Sequence, residues 1–82
     1  METAHKFTVG SVEAALNSLD TGRFGMILRA KGIVACAEGG WIHFDYVPGE
    51  VNVRMGTASV IGKLCVIGAQ MDNAGIAALF GL

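Results

Sequence analysis

An α+β fold is the expectation for these 82 residues, with a mostly antiparallel sheet covered on one face by two short helices. Three observations lead to it. Val12, Ala15, Leu16 and Leu19 recur at helical spacing near the start, and Ile76, Leu79 and Phe80 do so near the end. Between them, two glycine-bearing turns divide β-prone sequence into runs that read as a three-stranded meander. The element order is β-α-β-β-β-β-α within one domain spanning residues 1–82, as this length allows.

The segment "HKFTV", residues 5–9, is short and β-prone. In "GSVEAALNSLDTG" Ser11 is placed to cap a helix of two to three turns and Gly22 to close it. A strand, this helix and the next strand then form a crossover unit with parallel strands. That next strand, "GMILRAKGIV", carries Arg29 and Lys31 in apolar surroundings, which breaks the alternation expected of a half-buried strand. An extra residue at Gly32 would repair it, turning Ala30 and Leu28 inward and both cations outward.

The pair Gly39-Gly40 suits a two-residue hairpin turn, in which Ala37 faces Ile42, Ala35 faces Phe44 and Ile33 faces Tyr46. In "VPGE" Pro48 presets φ and Gly49 takes a positive one, pairing Tyr46 with Val51, Phe44 with Val53 and Ile42 with Met55. A bulge near Gly49 is the alternative, because a type II turn matches strand twist less well than its mirror image. The run Leu64 to Ile67 reads as a strand covered on both faces. Asp72 then caps a short second helix that needs tertiary packing to persist.

Composition narrows the functional classes. Apolar residues make up 52% of the chain and charged residues 16%, below the roughly 25% usual in soluble domains. This predicts an exposed apolar docking face, for a second copy or for a larger polypeptide. Net charge is −1 and the six basic residues are scattered, so there is no electrostatic footprint for nucleic acid. Mean hydropathy is +0.53, yet glycine or a charge interrupts every apolar run well before membrane-spanning length. The opening "METAHKF" lacks the apolar core of a secretory signal, which makes the cytoplasm the expected location and Cys36 and Cys65 reduced, small, buried thiols.

On the face opposite the meander's apolar side, the expected register sets Cys36 against His43, with Asp45 two residues on. Thiolate, imidazole and carboxylate together suit a borderline-soft cation such as zinc or cobalt, and this makes a small metal-binding protein one alternative function, a self-associating structural domain being the other. Arg54, opposite His43, opposes it. A Cys36–His43 nucleophile and base would also need a pocket and an oxyanion site, which nothing in the sequence supplies. "GTASVIGK" imitates a phosphate loop but has one residue too many between its glycines. Leu64 follows Lys63 where Ser or Thr belongs, and the segment leads into a strand. Lys63 therefore reads as a solvated residue at a strand end, and Trp41 as a cross-strand packing residue.

Taken together, "LRAKGIV", "GGWIHFDYVPGEVNVR" and "LCVIGAQMDNAGIAALFG" resemble the C-terminal domain of CobW-type GTPases, metallochaperone-like relatives of HypB and UreG, over about residues 24–82. The segment before the first helix is shorter than in that family and lacks its usual proline. In such proteins a separate domain carries the phosphate loop and a Cys-x-Cys-Cys metal motif, and neither occurs in these residues. The resemblance implies a non-catalytic accessory domain, whether part of a longer protein or standing alone, that serves metal homeostasis or cobalamin biosynthesis. GTP and metal would belong to the GTPase domain. The implied partners are that domain, a client metalloprotein or a second copy of the chain, and the implied contact residues are Arg29, Lys31 and Trp41.

Overall fold

The computed structural model describes residues 1–82. Its elements are β1 (Glu2–Thr3), β2 (Lys6–Phe7), α1 (Val9–Leu19), β3 (Met26–Cys36), β4 (Trp41–Val47), β5 (Glu50–Gly56), β6 (Gly62–Ala69) and α2 (Asn73–Leu79). The sheet runs β1-β6-β3-β4-β5, with β2 added alongside β3. All pairings are antiparallel except β2 with β3, so the crossover through α1 joins parallel strands as expected. Since β6 pairs with β3 from Met26 to Ile33, β2 takes up the same edge of β3 at Ala35 and Cys36. The pair of residues in β1 was not anticipated.

Both helices pack on one face. Val12, Ala15, Leu16 and Leu19 are buried from α1, and Ile76 and Phe80 from the end of the chain. Opposite them lie Ile27, Ala30, Val34, Ile42, Phe44, Tyr46 and Leu64. The ring of Phe80 stacks on Phe44 with centroids 6.1 Å apart and meets Phe7 edge-on at 6.5 Å. These contacts hold a helix of seven residues that would not persist alone. Asp72 caps it as expected, accepting from the Gly75 amide at 3.0 Å.

The cap of α1 is Thr8 and not Ser11. Thr8 has extended backbone geometry and its Oγ1 accepts from the Ser11 amide at 3.1 Å, while Ser11 Oγ accepts from the Thr8 amide at 3.0 Å. This is a reciprocal capping box one turn earlier than Gly10 had suggested, with serine in the role usually held by glutamate. At the other end Asp20 places a negative charge where the helix dipole disfavours it. Its use is a clamp: the buried Tyr46 donates its hydroxyl to Asp20 Oδ1 at 2.6 Å, and the Gly49 amide donates to the same oxygen at 3.0 Å. The Tyr46 and Gly49 donors hold the Asp20 carboxyl below its ordinary value of 3.8. Burial, together with the Asp20 hydrogen bond and charge, pushes Tyr46 up to about 12. The clamp ties the β4–β5 turn to the end of α1.

The second hairpin has the expected register, with Ile42, Phe44 and Tyr46 opposite Met55, Val53 and Val51. Pro48-Gly49 closes it directly, with Gly49 at φ 79° and no bulge. The first hairpin differs. Gly39 and Gly40 do take positive φ, but the Gly39 amide donates to Cys36 O and the Cys36 amide to Gly40 O. The turn therefore holds Ala37, Glu38 and Gly39, the three-residue loop that ends in a glycine bulge. Ile42 faces Val34, Phe44 faces Gly32 and Tyr46 faces Ala30, in place of Ala37, Ala35 and Ile33. An odd shift reverses the faces of β3. Ala30 and Val34 point inward and Arg29, Lys31 and Ile33 outward, so no bulge at Gly32 is needed. Gly32 lies under the Phe44 ring instead, where an added Cβ would come within 2.7 Å of ring carbons and 2.6 Å of the Lys63 carbonyl. The bulge falls between Ile27 and Arg29 and leaves Leu28 exposed, not inward.

Candidate functional site: the open face of the sheet

With both helices on one side, the other face of the sheet is left uncovered, and its residues follow from the register. β6 presents Lys63, Cys65 and Ile67, while β3 presents Arg29, Lys31 and Ile33. β4 presents Trp41, His43 and Asp45, and β5 presents Asn52 and Arg54. The covered-on-both-faces reading of Leu64 to Ile67 is corrected here: Leu64 is buried, but Cys65 and Ile67 are exposed. Across the strands, Cys65 pairs with Lys31 and Lys31 with Asp45, then Asp45 with Asn52; one row away run Lys63, Ile33, His43 and Arg54.

Asp45 is the electrostatic centre. Arg29 approaches its Oδ1 at 3.5 Å and Arg54 its Oδ2 at 3.2 Å, and Arg54 also donates to Asn52 Oδ1 at 3.0 Å. Individually such exposed pairs add little stability, but together they neutralise the one carboxylate of the face's inner strands. These are the only ion pairs in the molecule, so Lys31 and Lys63 form none, although Asp45 and Glu2 are their respective cross-strand neighbours. His43 donates through Nε2 to the Thr57 carbonyl at 2.9 Å, its ring lying against Gly56. A shallow cleft of about 540 Å³ crosses this region, bordered by Lys31, His43, Asp45, Arg54, Lys63 and Cys65.

The expected contact residues Arg29 and Lys31 are therefore on one exposed surface, with Trp41 half-buried at its far end beside Ala35 and Gly56. The metal-ligand set is not assembled. Cys36 lies in the core, 8% exposed, whereas His43 and Asp45 face outward, and His43 has Ile33 and Arg54 as its cross-strand neighbours. No group of three or more His, Cys, Asp or Glu side chains is placed to hold an ion. The three-residue loop is the physical reason, because it moves Cys36 to the opposite face. Cys65 and Lys63 belong to this face but were not foreseen there. The signal for them was the alternation Gly62, Leu64, Val66 against Lys63, Cys65, Ile67, masked by four consecutive apolar residues. No helix is long and apolar enough to cross a membrane.

A family model described as the cobalamin synthesis protein cobW C-terminal domain matches residues 1–81. No curated protein and no solved structure gives a significant match.

Proposed function

This chain belongs to the cobW C-terminal domain family, and on that premise we propose that it is a non-catalytic accessory domain of a cytoplasmic, CobW-like, GTP-dependent metal-delivery system serving metal homeostasis or cobalamin biosynthesis. It acts by protein contact, with a CobW-type GTPase domain or a client metalloprotein as partner. Nucleotide and metal cargo are handled by the GTPase domain, and this chain supplies neither a phosphate loop nor a ligand set. The observation that carries the reading is the uncovered sheet face, which gathers Arg29, Lys31 and Trp41 beside solvent-exposed apolar side chains while the helices and core residues occupy the other side.

The test has two arms. Purified chain is expected to give no GTP turnover above buffer, and sustained turnover abolished by Lys63→Ala would overturn the non-catalytic reading. In the second arm, titration calorimetry with a CobW-type GTPase domain, with GDP or a non-hydrolysable GTP analogue, is expected to give saturable binding. Arg29→Ala combined with Lys31→Ala is expected to weaken it by about tenfold. Failure to bind in either nucleotide state would remove the interdomain role.

A further inference from the structure

The open face has two chemically different parts. At one end Met26, Leu28 and Ile67 are 66%, 52% and 52% exposed. Leu28 is there because of the bulge: Ile27 and Ala30 both point into the core, so the two residues between them, Leu28 and Arg29, turn outward together. Ile67 is the cross-strand partner of Arg29, which sets it beside Leu28 and Met26 at this end of the face, while the Arg29 guanidinium reaches the other way to Asp45. In the middle of the face, Lys31 and Lys63 stand beside Cys65 and Ile33 outside any ion pair, Lys63 with Glu2 as its neighbour on the edge strand, and the charge of Asp45 is taken up by Arg29 and Arg54.

The rest of the molecule has the opposite sign. Five of the six basic residues are on the open face, Lys6 beside Ala35 among them, against Glu2, Asp45 and Glu50, whereas the helix side and loops carry Glu13, Asp20, Glu38 and Asp72 against Arg23 alone. A partner arriving with negative charge is steered to the open face, and one with positive charge is not. A second copy laid face to face would set cations against cations. Nucleic acid fits poorly too, since Glu2 and Glu50 flank the lysines at the sheet's two edges and Trp41 is the face's only aromatic side chain apart from His43.

We propose that this face docks an acidic amphipathic segment of another polypeptide, its apolar side chains seated on Met26, Leu28 and Ile67 and its carboxylates on Lys31 and Lys63. The proposal rests on the accessory-domain reading above and adds to it the surface and the chemistry of the partner. Arg29 and Lys31, the two cations embedded in an apolar strand, are thereby explained: the strand supplies an apolar anchor point and its charged border in consecutive residues.

The test uses the full chain, isotopically labelled for amide NMR, and two synthetic amphipathic peptides with leucines on one face, one bearing glutamates elsewhere and the other lysines. The glutamate peptide is expected to bind saturably, with shifts concentrated at Met26–Ile33 and Lys63–Ile67. The combined Lys31→Glu and Lys63→Glu variant is expected to weaken it by about tenfold or more. Leu28→Asn should also weaken it, and Glu13→Lys, at an exposed position of α1, should leave the Lys31/Lys63-dependent shifts in place. The amide spectrum of each variant reports whether it is folded, and the substituted side chains are all exposed ones.

Equal binding of the lysine peptide, shifts confined to the helix side, or no saturable binding would each overturn the proposal. Concentration-dependent shifts at this face without peptide would assign it to a second copy and overturn it equally. A GTPase domain that binds through the helix side would leave the accessory role standing and remove this surface. Peptide docking with no GTPase binding would do the reverse.

Discussion

Adding one methyl group at Gly32 tests the register on which the open face depends. The Cβ of Gly32→Ala would lie 2.6 Å from the Lys63 carbonyl oxygen and 2.7 Å from Cε2 and Cζ of Phe44. The carbonyl belongs to the adjacent strand, and the Phe44 ring is 1% exposed and stacked on Phe80, so neither neighbour yields without disturbing the core. Overpacking of this kind destabilises by roughly 1–3 kcal/mol, and the reduced freedom of the unfolded chain returns about 0.5–1 kcal/mol. A net loss of about 1–2 kcal/mol lowers the melting temperature of a domain this size by roughly 5–15 °C. Gly10→Ala is the matched control: it sits in the first turn of α1 with nothing within 4 Å of the new methyl group, and it should raise stability by about 0.5 kcal/mol. Urea unfolding, followed by Trp41 fluorescence and circular dichroism, reads both as midpoint shifts of opposite sign with similar slopes. If Gly32→Ala left the midpoint unchanged or raised it, Phe44 would not cover Gly32. The register that faces Phe44 with Ala35, and Cys36 with solvent, would return.

Tyr46 is the only tyrosine, so its titration can be followed by ultraviolet absorbance; its midpoint is expected near 12 in the folded chain against an ordinary value of 10, and Asp20→Asn should bring it down. A raised folded value means that the Tyr46 contribution is complete below pH 10 and is lost as pH rises toward 12, whereas the lowered Asp20 value makes its contribution complete above about pH 4 and lost as pH falls through the folded value. Tyr46→Phe should flatten both limbs of the stability profile, and an unaltered profile would rule the clamp out. At Gly56, the atoms nearest an added Cβ all belong to the His43 ring, at 2.5–2.8 Å. Gly56→Ala should therefore destabilise the parent chain yet be neutral or stabilising beside His43→Ala, with a coupling of about 0.5–1.5 kcal/mol in thermal melts; additive effects would mean the ring lies elsewhere. Thr8→Ala should cost about 1 kcal/mol and Ser11→Ala less, the reverse of the order expected if Ser11 were the cap.

Local chemistry made much of this legible. The stripe Val12, Ala15, Leu16, Leu19 is buried as its spacing required, and the turn at Pro48-Gly49 pointed to the observed register between β4 and β5, the alternative bulge near Gly49 not being formed. The parallel crossover follows from a strand, a helix and a strand in succession. Gly39-Gly40 was ambiguous for a specific reason: a two-residue turn and a three-residue loop with a glycine bulge both need positive φ there, and they differ by an odd number of residues in the pairing they impose. Everything inferred about Cys36 inherited that ambiguity. Arg29 and Lys31 were assigned outward because charges avoid the core, which was sound even though the bulge placed at Gly32 lies at Leu28.

By itself the order of apolar, glycine and capping residues determined an α+β domain, the faces of its helices and one of its two hairpins, because each of those depends on neighbours within a few residues. Tertiary structure decided which face of β3 meets the core, that β6 is covered on one side only, and that Asp45 collects two arginines while Lys31 and Lys63 are left out of the ion pairs. Those outcomes depend on how the sheet faces are shared among strands distant in the chain and on both helices packing on the same side. No local pattern encodes that partition, and it is what turns scattered cations and exposed apolar residues into one surface.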